Sequence, residues 1–257
     1  MHDCWLVDIG SSRVKWQVRS LAGEILEAGV SARPEECARA LQAAGRERRP
    51  TGIWLARVGA PEREGALLAG LDPLSAEIPL VRVRAQAEGP CGLHTDYAEG
   101  QLGVDRYCAL VAARARCRHP VVLVDAGTAV TVDALAGDGR HLGGYLLPGR
   151  QLGWGVLQQR LADRIPHRDP AAWPAVLASA PGGNSEAALE RGWGLGLAGA
   201  VDRVIAEARA ALGGQAECWL AGGDADWLAP LLHEPVAPAP DLVLDGLWTL
   251  ARAESGA

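Results

Sequence analysis

Phenylalanine is absent from the 257-residue chain, and lysine occurs once, as Lys15. Every other strongly basic side chain is an arginine, which fits a bias toward GC-rich codons. A reaction that needs a catalytic lysine, such as Schiff-base chemistry, therefore has a single candidate residue.

Long apolar segments and clustered cysteines are also missing. No stretch reaches the roughly 20 residues that span a bilayer, and the first residues lack the basic region and apolar core of a signal peptide. The six cysteines are scattered, with no CxxC pair and no Cys/His cluster at zinc-ligand spacing. These absences predict a cytoplasmic protein with reduced thiols, no zinc site and no membrane contact.

An excess of basic residues is absent too, since the formal charge is −6. Proteins that bind nucleic acid normally present a basic face, so nucleic acid is not an expected partner. Apolar residues make up 49% of the chain, which is enough for a sizeable core. We therefore expect a folded protein that does not bind nucleic acid.

One sequence pattern occurs twice. An apolar run at 4–7 leads into Asp-Ile-Gly-Ser-Ser at 8–12, and a second at 121–124 leads into Asp-Ala-Gly-Thr-Ala at 125–129. An alternating stretch follows each, so each copy predicts a buried strand, a tight turn and an antiparallel strand. The aspartates lie 125 − 8 = 117 positions apart, which indicates a duplicated domain and not a solenoid of short repeats.

Strand and helix signals alternate in both halves, which predicts an α/β protein. The predicted helices are 34–44, 106–116, 185–207 and 241–251, and the predicted strands between and after the copies are 52–58, 80–83 and 217–220. The polar stretch 116–120 is the most natural boundary, so the expected domains are 1–118 and 119–257.

A strand that ends in Asp-x-Gly-[Ser/Thr] is suited to holding a phosphate. The strand fixes the aspartate, the glycine lets a phosphate approach the backbone N–H groups, and the carboxylate can hold a cation. Lys15 follows the first copy on the returning strand. It is either a solvated edge-strand lysine or a charge partner for phosphates, and its place beside the turn favours the second role.

A third segment, Gly-Val-Asp-Arg at 103–106, opens a predicted helix. An aspartate there is often a helix cap, but next to an arginine it also suits a base that accepts a proton from a substrate hydroxyl. The fourth segment, 142–149, taken alone is a turn, a strand and a turn. The GxGxxG match at 194–199 follows a helical stretch, so we do not assign it to a dinucleotide, and no GxxxxGK[ST] motif is present.

Together the motifs resemble those of the type III pantothenate kinases, members of the superfamily of sugar kinases, actin and chaperone ATPases. That family carries Asp-x-Gly-Asn-[Ser/Thr], Gly-x-Asp-Arg, Asp-x-Gly-Thr-Ala and Gly-Gly-x-x-x-Pro-Gly. All four occur here in that order between residues 8 and 149, the first with one substitution. Matches at 184–185, Gly192 and 220–223 extend the likeness to nearly the whole chain.

The resemblance implies two duplicated ribonuclease-H-like (actin-like ATPase) domains with the active site in the cleft between them, and a homodimer. It implies transfer of the ATP γ-phosphate to the primary hydroxyl of pantothenate, which gives 4'-phosphopantothenate in the first step of coenzyme A biosynthesis. The cofactors would be ATP, Mg²⁺ and a monovalent cation, K⁺ or NH₄⁺.

The resemblance also assigns roles to individual residues. Asp105 corresponds to the catalytic base, Asp125 to a ligand of the monovalent cation, and Asp8 is a candidate ligand for Mg-ATP. The positions implied to contact ATP and its phosphates are Asp8, Ile9, Gly10, Ser11, Ser12, Arg13, Val14, Lys15, Gly127 and Thr128. The positions implied to contact pantothenate are Tyr97, Gly103, Val104, Asp105, Arg106 and Ser185.

Two positions depart from the family pattern. Ser11 replaces an asparagine in the first phosphate turn, and Ser185 stands where threonine is usual. Two other functions stay open at this point: an accessory or regulatory homologue with weakened catalysis, and a sibling kinase for another small hydroxylated substrate. Retention of the candidate base favours a kinase, and only substrate testing separates the two kinases.

Overall fold

The structure is a computed structural model that describes residues 3–20, 22–47, 50–71, 78–161 and 180–254. Its contacts divide the chain into two units. The first consists of Met1–Arg118 together with Asp241–Ala257, and the second is His119–Pro240.

The first unit is built around a mixed sheet with helices on its faces. Its elements are β1 Asp3–Ile9, β2 Val14–Ser20, β3 Ile25–Ser31, α1 Pro34–Glu47, β4 Pro50–Arg57, α2 Pro61–Leu71, β5 Leu80–Arg82, β6 Glu88–Gly89, a 3₁₀ turn Pro90–Gly92, β7 Leu93–Thr95, α3 Val104–Arg116 and, from the C-terminal segment, α7 Leu242–Glu254. Both α1 and α2 begin with a proline followed by a glutamate, residues that favour the first turn of a helix.

Strand β1 is central in this sheet, whose order is β3–β2–β1–β4–β5. Because successive side chains of a strand point to opposite sides, β1 contributes side chains to both faces of the sheet. Trp5, Val7 and Ile9 pack into one apolar cluster with α1 and α2, whereas Cys4 and Leu6 pack into another with α3 and α7. A strand buried on both faces needs the continuous apolar run that the sequence shows at 4–7.

The second unit repeats this plan. Its elements are β8 Val121–Ala126, β9 Ala129–Leu135, β10 Arg140–Pro148, α4 Arg150–Arg160, α5 Ser185–Ala211, β11 Glu217–Ala221, α6 Ala225–Leu228, a 3₁₀ turn Ala229–Leu231 and β12 Ala237–Pro238. The order β10–β9–β8–β11–β12 matches β3–β2–β1–β4–β5. In both orders the first two neighbouring pairs of strands are antiparallel and the last two pairs are parallel. The α/β class and the duplicated ribonuclease-H-like architecture are therefore confirmed.

The C-terminal helix corrects the predicted domain 119–257. Helix α7 belongs with the first unit because Val243, Leu244 and Leu247 pack against the β1 face that carries Cys4 and Leu6. Sequence periodicity shows that a helix has an apolar face, but it does not show which core that face joins.

Two other sequence interpretations can be compared with the helices. The GxGxxG match at 194–199 lies inside α5, so it has no strand before it, as expected from the sequence. Among the described residues, no helix is both long enough and apolar enough to cross a membrane.

The thiols fall into three classes of exposure that chemical labelling should separate. Burial raises the pKa of Cys4 to about 11 and those of Cys37 and Cys218 to about 12, and Cys108 is fully buried, whereas Cys91 is exposed and Cys117 is half-buried. We expect a disulfide reagent such as DTNB at about pH 8 to modify Cys91 fast, Cys117 more slowly, and the other four only after unfolding, because the thiolate is the reactive form. Fast loss of all six thiols from the folded protein would contradict this packing.

Candidate active site

The first Asp-x-Gly turn joins β1 to β2. Asp8 lies opposite Lys15 in the β1–β2 ladder, and the turn closes with a 3.0 Å hydrogen bond from the Gly10 N–H to the Arg13 carbonyl. The side chains of Ser11 and Ser12 are exposed, as is that of Arg13. This turn therefore presents two hydroxyls, a guanidinium and main-chain N–H groups to a ligand.

Two of the predicted ATP contacts cannot use their side chains. Ile9 and Val14 are fully buried in the core, so only their main-chain atoms are available. The Ile9 carbonyl accepts hydrogen bonds from the N–H groups of both Val58 and Gly59, each at 3.1 Å. A Cβ on Gly59 would lie 2.7 Å from the Gly10 carbonyl oxygen, so the turn rests directly on the residues that follow β4. The contact between Gly59 and Gly10 was not predicted from the sequence. The glycine just after the predicted strand 52–58 was the one feature that could have indicated it.

Asp8 and Asp105 lie on the same side of the first sheet. Asp8 shares its face of β1 with Cys4 and Leu6, the face covered by α3, and Asp105 is in the first turn of α3. Burial, and after it the carboxylates of Asp8 and Asp105, raise the pKa of the Cys108 thiol well above its ordinary range. Both candidate functional carboxylates therefore lie near one buried cysteine, a proximity that the sequence separation of the two motifs did not reveal.

The start of α3 depends on the small size of Gly103. The Asp105 Oδ1 accepts a 2.7 Å hydrogen bond from the Arg106 N–H, and a Cβ on Gly103 would lie 2.6 Å from that same oxygen. Asp105 thus satisfies one N–H of the helix start, and Gly103 leaves room for its carboxylate. Val104 is half-buried and packs with its side chain against the apolar cluster beneath α7.

Tyr97 and Arg106, predicted as substrate contacts, lie together. An Arg106 Nη2 atom lies 3.2 Å from the Tyr97 hydroxyl, and the guanidinium carbon is 5.3 Å from the centre of the tyrosine ring. Arg106 is 7% exposed, so its charge is held in a largely buried position. A cavity of about 230 Å³ adjoins Tyr97, and its lining also includes Thr95 and Leu102.

The second Asp-x-Gly turn joins β8 to β9, in the same place in its unit as the first, but it closes over two residues and not three. The Gly127 N–H donates to the Ala129 carbonyl at 3.1 Å, and Thr128 is exposed. Val122, Val124 and Ala126 pack with α5, so Asp125, of opposite parity, lies on the other face of the sheet.

Two glycine segments pack directly on this second turn. The Gly149 N–H donates to the Thr128 carbonyl at 3.0 Å, and a Cβ there would lie 2.1 Å from the Gly127 carbonyl oxygen. Gly222 has φ +103°, and its Cβ would lie 2.3 Å from the Ala126 carbonyl oxygen. The segment 142–149 shows only a turn and a strand when its sequence is taken alone. In the structure it ends in contact with the Asp-x-Gly turn between β8 and β9.

Ser185 is the first residue of α5. The preceding Asn184 caps the helix, its side-chain oxygen accepting a 2.8 Å hydrogen bond from the Ala187 N–H, while Ser185 itself is exposed. Within the described ranges, no hydrogen bond joins Ser185 to the turn at 125–128. Those ranges also contain no group of three or more His, Cys, Asp or Glu side chains that could hold a metal ion.

The similarity to known proteins extends over both Asp-x-Gly turns. The sequence model of the type III pantothenate kinase family matches residues 4–207, a range that contains every predicted site residue from Asp8 to Ser185. The type III pantothenate kinase of Nitrosococcus oceani is 33% identical over 97% of this chain and 94% of its own length. That of Chromobacterium violaceum is 37% identical over 96% of this chain and 98% of its own length. The chain belongs to the type III pantothenate kinase family.

A solved structure supports the fold of this family member independently of sequence. The activator of the 2-hydroxyisocaproyl-CoA dehydratase from Clostridium difficile superposes with a TM-score of 0.59 over 99% of this chain and 96% of its own length. Only 11% of residues are identical, so the likeness concerns the fold alone. That protein was crystallised with ADPNP, a nucleotide, bound.

Proposed function

We propose that this member of the type III pantothenate kinase family transfers the γ-phosphate of ATP to the primary hydroxyl of pantothenate. The observation that carries the proposal is the placement of Asp105 and Asp8 on one face of the first sheet, both close to Cys108. A base and a phosphate-binding turn must lie near each other for a direct transfer, because phosphoryl transfer depends mainly on positioning and charge stabilisation.

Asp105 is the proposed general base. It accepts the proton of the attacking hydroxyl as the oxygen approaches the γ-phosphorus in line with the leaving group. Its carboxylate is already oriented by the 2.7 Å hydrogen bond from the Arg106 N–H. The Arg106 side chain, fixed by Tyr97, is placed to bind a carboxylate or carbonyl of the acceptor, which suits an acid such as pantothenate.

The two Asp-x-Gly turns are the proposed phosphate-binding elements. In the first, the exposed hydroxyls of Ser11 and Ser12 and the Lys15 ammonium hold phosphate oxygens. In the second, Gly127 and Thr128 do so. We propose that Asp8 holds the Mg²⁺ of Mg-ATP and that Asp125 binds a monovalent cation. These cations supply positive charge that offsets the negative charge of the transferring group.

The first test is a coupled assay of ADP release with Mg-ATP, with and without pantothenate, in potassium and in sodium buffers. We expect turnover that depends on pantothenate and is higher in potassium. An Asp125→Asn variant should lose the potassium stimulation, whereas Asp138→Asn, an exposed carboxylate in the β9–β10 hairpin, should keep it.

The other outcomes of this assay separate the alternatives. Turnover with a different hydroxylated acid, but not with pantothenate, would indicate a sibling kinase. A folded protein that binds ATP yet phosphorylates none of the acceptors would indicate an accessory homologue disabled at Ser11. We also propose that the protein is cytoplasmic and a homodimer. Light scattering tests the dimer directly, because one chain has a mass of 26.9 kDa.

A further inference from the structure

A buried ion pair lies beside the second phosphate turn. The Arg150 Nη2 is 2.8 Å from the Asp224 Oδ1, and their side chains are only 9% and 13% exposed. Arg150 is the first residue of α4, and Asp224 immediately precedes α6. The pair therefore joins two segments that are far apart in the sequence.

Both joined segments also hold the backbone of the turn. Gly149, adjacent to Arg150, donates its N–H to the Thr128 carbonyl at 3.0 Å. The Asp224 N–H donates to the Ala126 carbonyl at 2.9 Å. These two hydrogen bonds and the ion pair form a closed ring around residues 126–128, so a movement of either segment would displace the turn.

The ion pair is poorly suited to a purely stabilising role. The Arg150 Nε is buried and has no hydrogen-bond partner among the described residues. Removing charges from water is costly, and replacing both members of a buried pair by apolar residues is often neutral or stabilising. A pair that contributes little net stability still fixes geometry, because a guanidinium binds a carboxylate in few orientations.

Trp227 restricts the arginine further. The guanidinium carbon of Arg150 lies 5.0 Å from the centre of the Trp227 ring, within the range of a cation–π contact. A lysine ammonium has neither the planar fork nor the same stacking, so it would hold Asp224 with less definition.

We propose that Arg150 and Asp224 are positioning residues that hold the second turn, residues 126–128, in the conformation that binds ATP. This inference rests on the proposed function of that turn. It predicts that loss of the pair raises the KM for ATP and the dissociation constant of ATP without changing the KM for pantothenate.

The decisive variant replaces both partners, as Arg150→Met/Asp224→Leu, because a single replacement would leave one buried charge unpaired and unfold the protein for a trivial reason. We expect the melting temperature of the double variant to differ from that of wild type by no more than the control variant described below does. Its dissociation constant for ATP, measured by titration calorimetry, should rise about tenfold. Arg150→Lys should give a smaller rise, since it restores the charge without the planar geometry.

The control is the Arg209–Glu234 ion pair of the same unit, replaced as Arg209→Met/Glu234→Leu. Arg209 also donates to the Ala216 carbonyl, which precedes β11, whereas the turn contacts residues that follow β11. This variant should leave ATP binding unchanged. If the Arg150/Asp224 variant lowers the melting temperature but binds ATP as tightly as wild type, the pair is only structural and the proposal is wrong.

The readouts also distinguish this proposal from the proposed function. If wild type binds ATP but does not phosphorylate pantothenate, the function fails, and the calorimetric comparison still tests the pair. If wild type binds no ATP, both proposals fail together.

Discussion

Asp105→Asn is expected to lower kcat for pantothenate phosphorylation by about 10²- to 10⁴-fold, the usual contribution of a general base. The affinity for ATP should stay nearly unchanged, because the first phosphate turn is carried by β1 and β2 and not by α3. Asparagine is the informative replacement, since its side-chain oxygen can still accept the hydrogen bond from the Arg106 N–H that now ends on Asp105 Oδ1. The start of the helix is thereby preserved while the proton acceptor is removed.

A matched control for this variant is Glu35→Gln. Glu35 is an exposed carboxylate in the first turn of α1, so its replacement removes the same charge from a helix start in the same unit. Steady-state rates and a nucleotide titration should be measured for both variants. A wild-type rate for Asp105→Asn would show that the base lies elsewhere, and an equal loss in Glu35→Gln would assign the effect to helix stability.

Gly246→Ala should have the largest effect on stability. Gly246 lies in α7, and a Cβ there would meet the Cys108 carbonyl oxygen of α3 at 2.0 Å, well inside van der Waals contact. Neither helix backbone can move without opening the apolar cluster beneath them, so we expect the free energy of unfolding to fall by about 3 kcal/mol, the upper end of the range for overpacking. Because Cys108 is one turn beyond Asp105, kcat should fall as well.

The control for this variant is a glycine in a helix with open space around it. Gly65 of α2 is exposed, and a Cβ there meets no atom within 4 Å. Gly65→Ala should therefore raise the free energy of unfolding by about 0.5–1 kcal/mol, since alanine is the better helix former. Urea unfolding curves of both variants test the pair, and equal stabilities would contradict the close packing of α3 against α7.

The sequence predicted best those elements whose burial produces a clear pattern. The apolar runs at 4–7 and 121–124 lie in β1 and β8, and the predicted helix 185–207 lies within α5. Strand β3 was not predicted, because it is an edge strand whose residues are mostly exposed and show no strong alternation. Helix α2 was also missed, although its Pro-Glu start is a recognised signal for a helix N-terminus.

The residues of the candidate site could be predicted from the sequence, but the backbone contacts that hold the two turns could not. Motif spacing pointed to Asp8, Asp105 and Asp125, each at the end of a strand or the start of a helix. The close approaches of Gly59 to Gly10 and of Gly149 to Gly127 join segments that are distant in the sequence. A glycine in a sequence shows that the backbone has freedom there, but it does not show which carbonyl lies against it.

The placement of α7 has a consequence for the order in which the protein is made. The first unit begins with β1 and is completed by Leu242–Glu254, which the ribosome adds only after the whole of the second unit. Until that helix emerges, Cys4, Leu6 and Trp54 have the apolar side chains of α3 beside them but lack those of α7. The second unit has all its strands and can fold during synthesis, so the half of the chain that is translated first is the half that matures last.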